Sequence, residues 1–358
     1  MSEMIDRSRR ALLGLAMGDA ISWTAMFQRS LLLPPWTRRI RREMDAQNET
    51  TGSLRHPMPF ALNRDAAPLE PGPAAASEWA AFLMERLLAR DGRLDDKSVL
   101  EDWRTLAAGE GEIRGPISVL SALANLRAGL LPPACGHDNP HYFDDAAMIR
   151  AVPLAVLAAG DPRTASTLAA AEGAVTNDEE GLEGARAVAA GLAAAIASGD
   201  GTASLAAALS VLSENGWSAR LAERALEIAT RASTPWAALP ELTRAIVNRE
   251  YSFGGAAPEV LALLVAVVRL SGGDVPAALG LATAIPKAAE SLPALAGAWC
   301  AALAGDDAFL EGWDTPLASL RGIALPDLAG SDYRALCGRF TALAGTAGKP
   351  RKPHESDG

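Results

Sequence analysis

Gly14-Leu15-Ala16-Met17-Gly18-Asp19-Ala20 is the stretch on which the fold of this chain turns. Two glycines four residues apart fall on one face of a helix and leave a flat strip against which a second helix packs closely. Asp19 ends that strip and needs a polar partner if the helix is buried. The residues just before it, Arg7, Arg9 and Arg10, faintly imitate the basic start of a secretory signal. Asp19 interrupts the apolar run almost at once and no good cleavage site follows, so the segment reads as the first helix of a soluble protein.

Working outward, the composition agrees. The chain has 358 residues, 49% hydrophobic and only 5% aromatic, and alanine and leucine dominate. Such residues lose little entropy in a helix. Helical periodicity predicts helices at about 6–22, 75–90, 97–108, 116–128, 144–159, 162–174, 181–198, 202–214, 217–231, 238–248, 258–271, 274–284 and 292–304. Asp161-Pro162 supplies a capping carboxylate and a first-turn proline. Gly-Gly at 272–273 and Gly-Asp-Gly at 199–201 mark helix ends. No alternating strand pattern is found. The expected class is all-α, a helical bundle forming one domain over 1–345.

Two stretches break the pattern. Residues 24–73 are rich in proline and arginine, with Leu31-Leu32-Leu33-Pro34-Pro35-Trp36 and the cluster Arg38-Arg39-Ile40-Arg41-Arg42. This is long for a structureless loop and reads as functional, partly helical or a flap over a site. The tail at 346–358 has the composition of disorder.

The net charge of −10 argues against a nucleic-acid partner. No apolar run reaches membrane-spanning length, so no membrane partner is expected. Three scattered cysteines, Cys135, Cys300 and Cys337, match no metal spacing and suggest a reduced, cytoplasmic compartment. There is no phosphate-binding loop and no Gly-x-Ser-x-Gly elbow. Met148, Trp79 and Trp299 read as core.

Several segments, in order, resemble the ADP-ribosylglycohydrolases. The opening Gly14–Ala20 is similar to that family's Gly-x-Ala-x-Gly-Asp-Ala. Asp144-Asp145-Ala146-Ala147-Met148-Ile149-Arg150-Ala151-Val152-Pro153-Leu154 resembles its Ala-Met-Arg-x-x-Pro helix. Val175-Thr176-Asn177-Asp178-Glu179-Glu180-Gly181 resembles its Thr-His loop, with Asn177 in place of His. Leu292-Pro293-Ala294-Leu295-Ala296-Gly297-Ala298 resembles its closing Ile-Ala-Gly-Ala helix.

The resemblance implies a compact orthogonal bundle with a cleft holding two magnesium ions on an early Asp-Asp-Thr and a late Asp-x-Asp-Thr. Here those motifs stand as Ala75-Ala76-Ser77 and Ala288-Ala289-Glu290-Ser291. Magnesium is held through carboxylates in near-octahedral geometry, and methyl groups supply no ligand. Neither a metal nor any other cofactor is therefore expected.

The remaining carboxylates could still stabilise an oxocarbenium-like transition state and protonate a leaving group. The expected catalytic residues are Asp144, Asp145, Glu290 and Glu78. Asp19, His137, Asn139, His141, Tyr142, Asn177 and Asp178 are the expected contacts to a small ribosyl or ADP-ribosyl ligand. The 137–145 cluster also admits a transition metal or a plain capping loop. Two functions follow: metal-independent hydrolysis of a ribosyl N-glycosidic bond, or binding of ADP-ribose, a nucleotide or a protein without turnover. Sequence gives no oligomeric state.

Overall fold

The computed structural model describes residues 3–22, 50, 72–248, 250–251 and 254–347. Most of the 24–73 segment and residues 348–358 lie outside the described residues, so the flap and tail readings are not addressed there. Thr346 and Ala347 belong to the last helix.

The described residues form fifteen α-helices and short 3-10 turns, with no strands. In chain order they are α1 (residues 3–22), α2 (Ala75–Ala89), α3 (Asp96–Ala108), α4 (Ile117–Arg127), α5 (Ala134–His137), α6 (Ala146–Leu157), α7 (Pro162–Gly173) and α8 (Glu179–Ser198). They continue as α9 (Gly201–Leu209), α10 (Trp217–Arg231), α11 (Leu239–Ala245), α12 (Ala257–Ser271), α13 (Val275–Thr283), α14 (Leu292–Leu303) and α15 (Tyr333–Ala347).

Three helices are apolar on every side and make the centre: α6 over 146–156, α12 over 257–268 and α14 over 292–302 are buried throughout. A helix hydrophobic all round belongs in a core. The outer helices α3 and α10 carry charge on their exposed faces.

The glycine strip of α1 lies on α14. A Cβ at Gly14 would collide with the carbonyl of Gly297, and one at Gly18 with the carbonyl of Pro293. Gly297 meets Gly14 in return. The two backbones therefore touch, which only glycine permits.

Start and stop signals act as read. Asp161 accepts from Thr164 N at 3.0 Å and Asp274 from Ala277 N at 2.7 Å. Gly199 and Gly272 close α8 and α12 with φ of 65° and 60°. The expected 202–214 helix is shorter, because α9 ends at Leu209 and the chain then turns. α15 has no counterpart in the periodicity reading; Asp332 starts it by accepting from Ala335 N at 2.8 Å.

Candidate active site

Four helices, α2, α4, α6 and α14, begin around one small pocket. Ala75, Ala76 and Trp79 come from α2, and Pro116 and Val119 from the start of α4. Asp145, Ala146, Ile149 and Arg150 come from α6, and Glu290 and Ser291 from the entry to α14. Its volume is about 30 Å³ for water centres, room for roughly two waters. Helix N-termini carry a partial positive charge, and at α2, α4 and α6 it is met by the carboxyl groups of Asp19 and Asp144.

Residues far away in sequence build the helix starts. Ala74 cannot cap α2, and Asp19 does so across 55 residues. Its Oδ2 accepts from Ala74 N and Ser77 N, both at 2.8 Å, and from Ser77 Oγ at 2.7 Å. Burial outweighs those three donors and raises its pKa to about 6. Asp144 joins α4 to α6 in the same way. It accepts from Ser118 Oγ at 2.7 Å, Ser118 N at 3.2 Å and Ala146 N at 3.1 Å. Asn177, fully buried, donates to Asp144 Oδ1 and to the carbonyls of Tyr142 and Asp144, each at 3.0 Å.

Glu78 is fully buried and faces away from the pocket. Its carboxylate accepts from the N–H groups of Ile323, Ala324 and Leu325 at 2.8, 2.6 and 2.9 Å. That role corrects the assignment of Glu78 to catalysis. Asp19, Asp144 and Asn177 are likewise engaged in holding helix starts together, which accounts for them without a ligand. Arg150, also on the pocket wall, is fixed by Glu172 at 2.7 and 2.9 Å and by Thr176 at 2.6 Å, with its guanidinium over Trp103.

Asp145 and Glu290 are different. Asp145 sits at the N-cap position of α6 and Ser291 at that of α14, yet neither side chain caps its own helix. Instead the Ser291 hydroxyl donates a short hydrogen bond to Asp145 Oδ2. Gly255 lies against the same oxygen, since a Cβ there would come within 2.5 Å of it. Burial and the neighbouring Asp144 push the Asp145 carboxyl well above the usual range, against the Ser291 hydrogen bond, and Glu290 adds to the rise. The surroundings of Asp145 therefore favour the protonated acid over the carboxylate. Glu290 is solvent-exposed at the pocket edge.

The 137–145 loop forms a separate group beside the pocket. His137 Nδ1 lies 2.6 Å from Asp178 Oδ2, and Asp178 also caps α8 through Glu179 N. The His137 ring stacks on Tyr142 at 6.0 Å. Asn139 is buried; it donates to the Gly136 carbonyl at 2.6 Å and accepts from His141 N. His141 Nδ1 meets the Tyr251 hydroxyl at 2.8 Å. Among these, His137 is the accessible side chain, at 61% exposure. None of His137, Asn139, His141, Tyr142 or Asp178 lines the pocket. Among the described residues no three His, Cys, Asp or Glu side chains are placed to hold a metal ion.

Sequence reasoning missed the roles of Ser291 and Gly255. Ser291 carried a signal, but it was that of an N-cap; its partner 146 residues away has no trace in spacing.

With this geometry in view, the comparisons have a structural frame. The family model of the ADP-ribosylglycohydrolases matches residues 1–349. Among solved structures 46 chains match. One is an ADP-ribosylglycohydrolase-related protein complex, 21% identical, covering 96% of this chain and all of that one with a TM-score of 0.58. No curated protein sequence matches. In the described residues no helix is long and apolar enough to cross a membrane.

The pocket does not fit the pair of magnesium ions that the resemblance implies. Ala75 and Ala76 offer methyl groups, and Asp144 is engaged by Ser118, Ala146 and Asn177. Among the described residues Asp145, Glu290 and Ser291 are the carboxyl and hydroxyl side chains that line the pocket, fewer oxygen donors than two hard cations take.

Proposed function

This chain belongs to the ADP-ribosylglycohydrolase family, and from that premise we propose that it hydrolyses an ADP-ribosyl or related ribosyl N-glycosidic bond without a dinuclear magnesium centre. One observation carries the reading: Asp145 and Glu290, from two separate elements, line the same pocket, the first buried with its carboxyl pushed well above the usual range and the second exposed. Paired carboxyl groups whose environments differ in this way divide acid and base roles between them.

In the proposed reaction Asp145, kept protonated by burial, gives its proton to the departing nitrogen. The C–N bond breaks and positive charge grows on the ribose ring, where the Glu290 carboxylate stabilises it. Water adds to the anomeric carbon and returns a proton to Asp145. Ser291 holds the acid in position throughout.

Asp145→Asn and Glu290→Gln test the pair. Each is expected to lower kcat by about 100-fold or more while ligand affinity stays within several-fold. Unchanged kcat in both would overturn the assignment. A second reading, binding without turnover, draws support from the framework: Asp19, Glu78 and Asp144 are fully engaged in structure and leave only two carboxyls at the pocket. Ligand-induced thermal stabilisation with no product under any metal condition would favour it.

A further inference from the structure

We propose that a second cavity, walled by α2, the end of α3 and the turn at Pro326–Leu328, binds a free α-amino acid with an apolar side chain. The cavity measures about 160 Å³ for water centres. It stands apart from the catalytic pocket: Trp79 lines the one and Phe82 the other, and the two rings meet edge to face at 6.0 Å.

Its wall is held rigidly. The Glu78 carboxylate fixes the backbone of Ile323, Ala324 and Leu325, and Arg114 N donates to the Ala324 carbonyl at 2.9 Å. A site built on such a wall is pre-organised and loses little entropy when filled.

Arg86 decides the ligand. Its guanidinium lies 5.4 Å from the centre of the Phe82 ring, and its Nε is buried with no hydrogen-bond partner. No ion pair satisfies it among the described residues. One turn later Arg90 shows the contrast, gripping Asp102 with both Nη atoms at 2.5 and 2.7 Å. Arg86 lines the cavity without an ion pair among the described residues, and its planar guanidinium matches the two oxygens of a carboxylate.

The other lining residues narrow the choice. Glu85 and Asp327 share the cavity, so a bare anion meets repulsion while an ammonium group beside the carboxylate meets attraction. Leu106, Leu325 and Leu328 complete an apolar floor beside Phe82. Carboxylate, ammonium and apolar side chain together describe a zwitterionic apolar amino acid.

Calorimetric titration of the full chain with L-leucine, isovalerate, isopentylamine and inorganic phosphate tests this. L-Leucine is expected to saturate one site, with the other three at least about tenfold weaker, since each lacks a charge-assisted contact. Arg86→Gln should weaken L-leucine by about tenfold or more. Asp327→Asn, at the exposed rim, should weaken L-leucine several-fold and, by removing a like charge, bind isovalerate somewhat more tightly. Absent L-leucine binding, phosphate or isovalerate binding as tightly as L-leucine, or wild-type affinity in both variants would overturn the proposal.

Discussion

Asp19, Glu78 and Asp144 lie in the framework behind the active-site pocket, whereas Asp145 and Glu290 line the pocket itself. Each framework carboxylate takes three or more hydrogen bonds from helix starts or loop N–H groups. Asp145 has the Ser291 hydroxyl on its Oδ2, and Glu290 is open to solvent. Both groups hold the same residue types within a few turns of one another. What separates them is where they stand: a carboxylate turned onto backbone N–H groups is architecture, and one that lines a pocket is available for chemistry.

The largest expected effect breaks the frame on which both groups stand. Gly18→Leu drives a side chain into the Pro293 carbonyl and should cost about 3 kcal/mol or more, read by urea unfolding. Tolerance of leucine there would contradict the α1–α14 seam.

Next comes pH. The carboxyl of Asp19 rises from 3.8 to about 6 on folding, worth about 3 kcal/mol. The folded state binds that proton more tightly, so the contribution is full below 3.8 and is lost as pH rises through about 6. Asp19→Asn removes this dependence. Between about pH 4 and pH 7 the wild type should lose up to about 3 kcal/mol relative to the variant, measured by unfolding at each pH.

Glu78→Ala sharpens the contrast further. It leaves the N–H groups of Ile323, Ala324 and Leu325 without their acceptor and should cost about 2 kcal/mol. Residual turnover per folded molecule should remain near wild type. Asp145→Asn is the mirror case: burial already favours the neutral acid, so its uncharged isostere should change stability by less than about 1 kcal/mol while turnover collapses. If Glu78→Ala abolished turnover without loss of stability, the division between framework and pocket would fail.

The fold was legible because its signals are local. The Gly14/Gly18 strip, the Asp161 cap and the αL glycines Gly199 and Gly272 act within a turn or two, and they act as read. Ala75 and Ala76, far from Glu290 in sequence, share one pocket with it. The roles of the surviving carboxylates were not legible. Asp19 caps a helix 55 residues on, Glu78 holds a loop 245 residues on, and Ser291 meets Asp145 across 146 residues. Spacing along the chain carries no record of such pairings. α15 went unread because Gly338 and Gly345 weaken its helical pattern, and burial of Tyr333 and Phe340 in the core compensates.

The most direct measurement is mass-spectrometric detection of ribosyl-bond cleavage by the full chain. NAD, ADP-ribosylated peptides and ribosyl nucleosides would each be offered with magnesium and with EDTA. The account predicts product at the same rate in both conditions, lost in Asp145→Asn. Product that appears only with magnesium would contradict it.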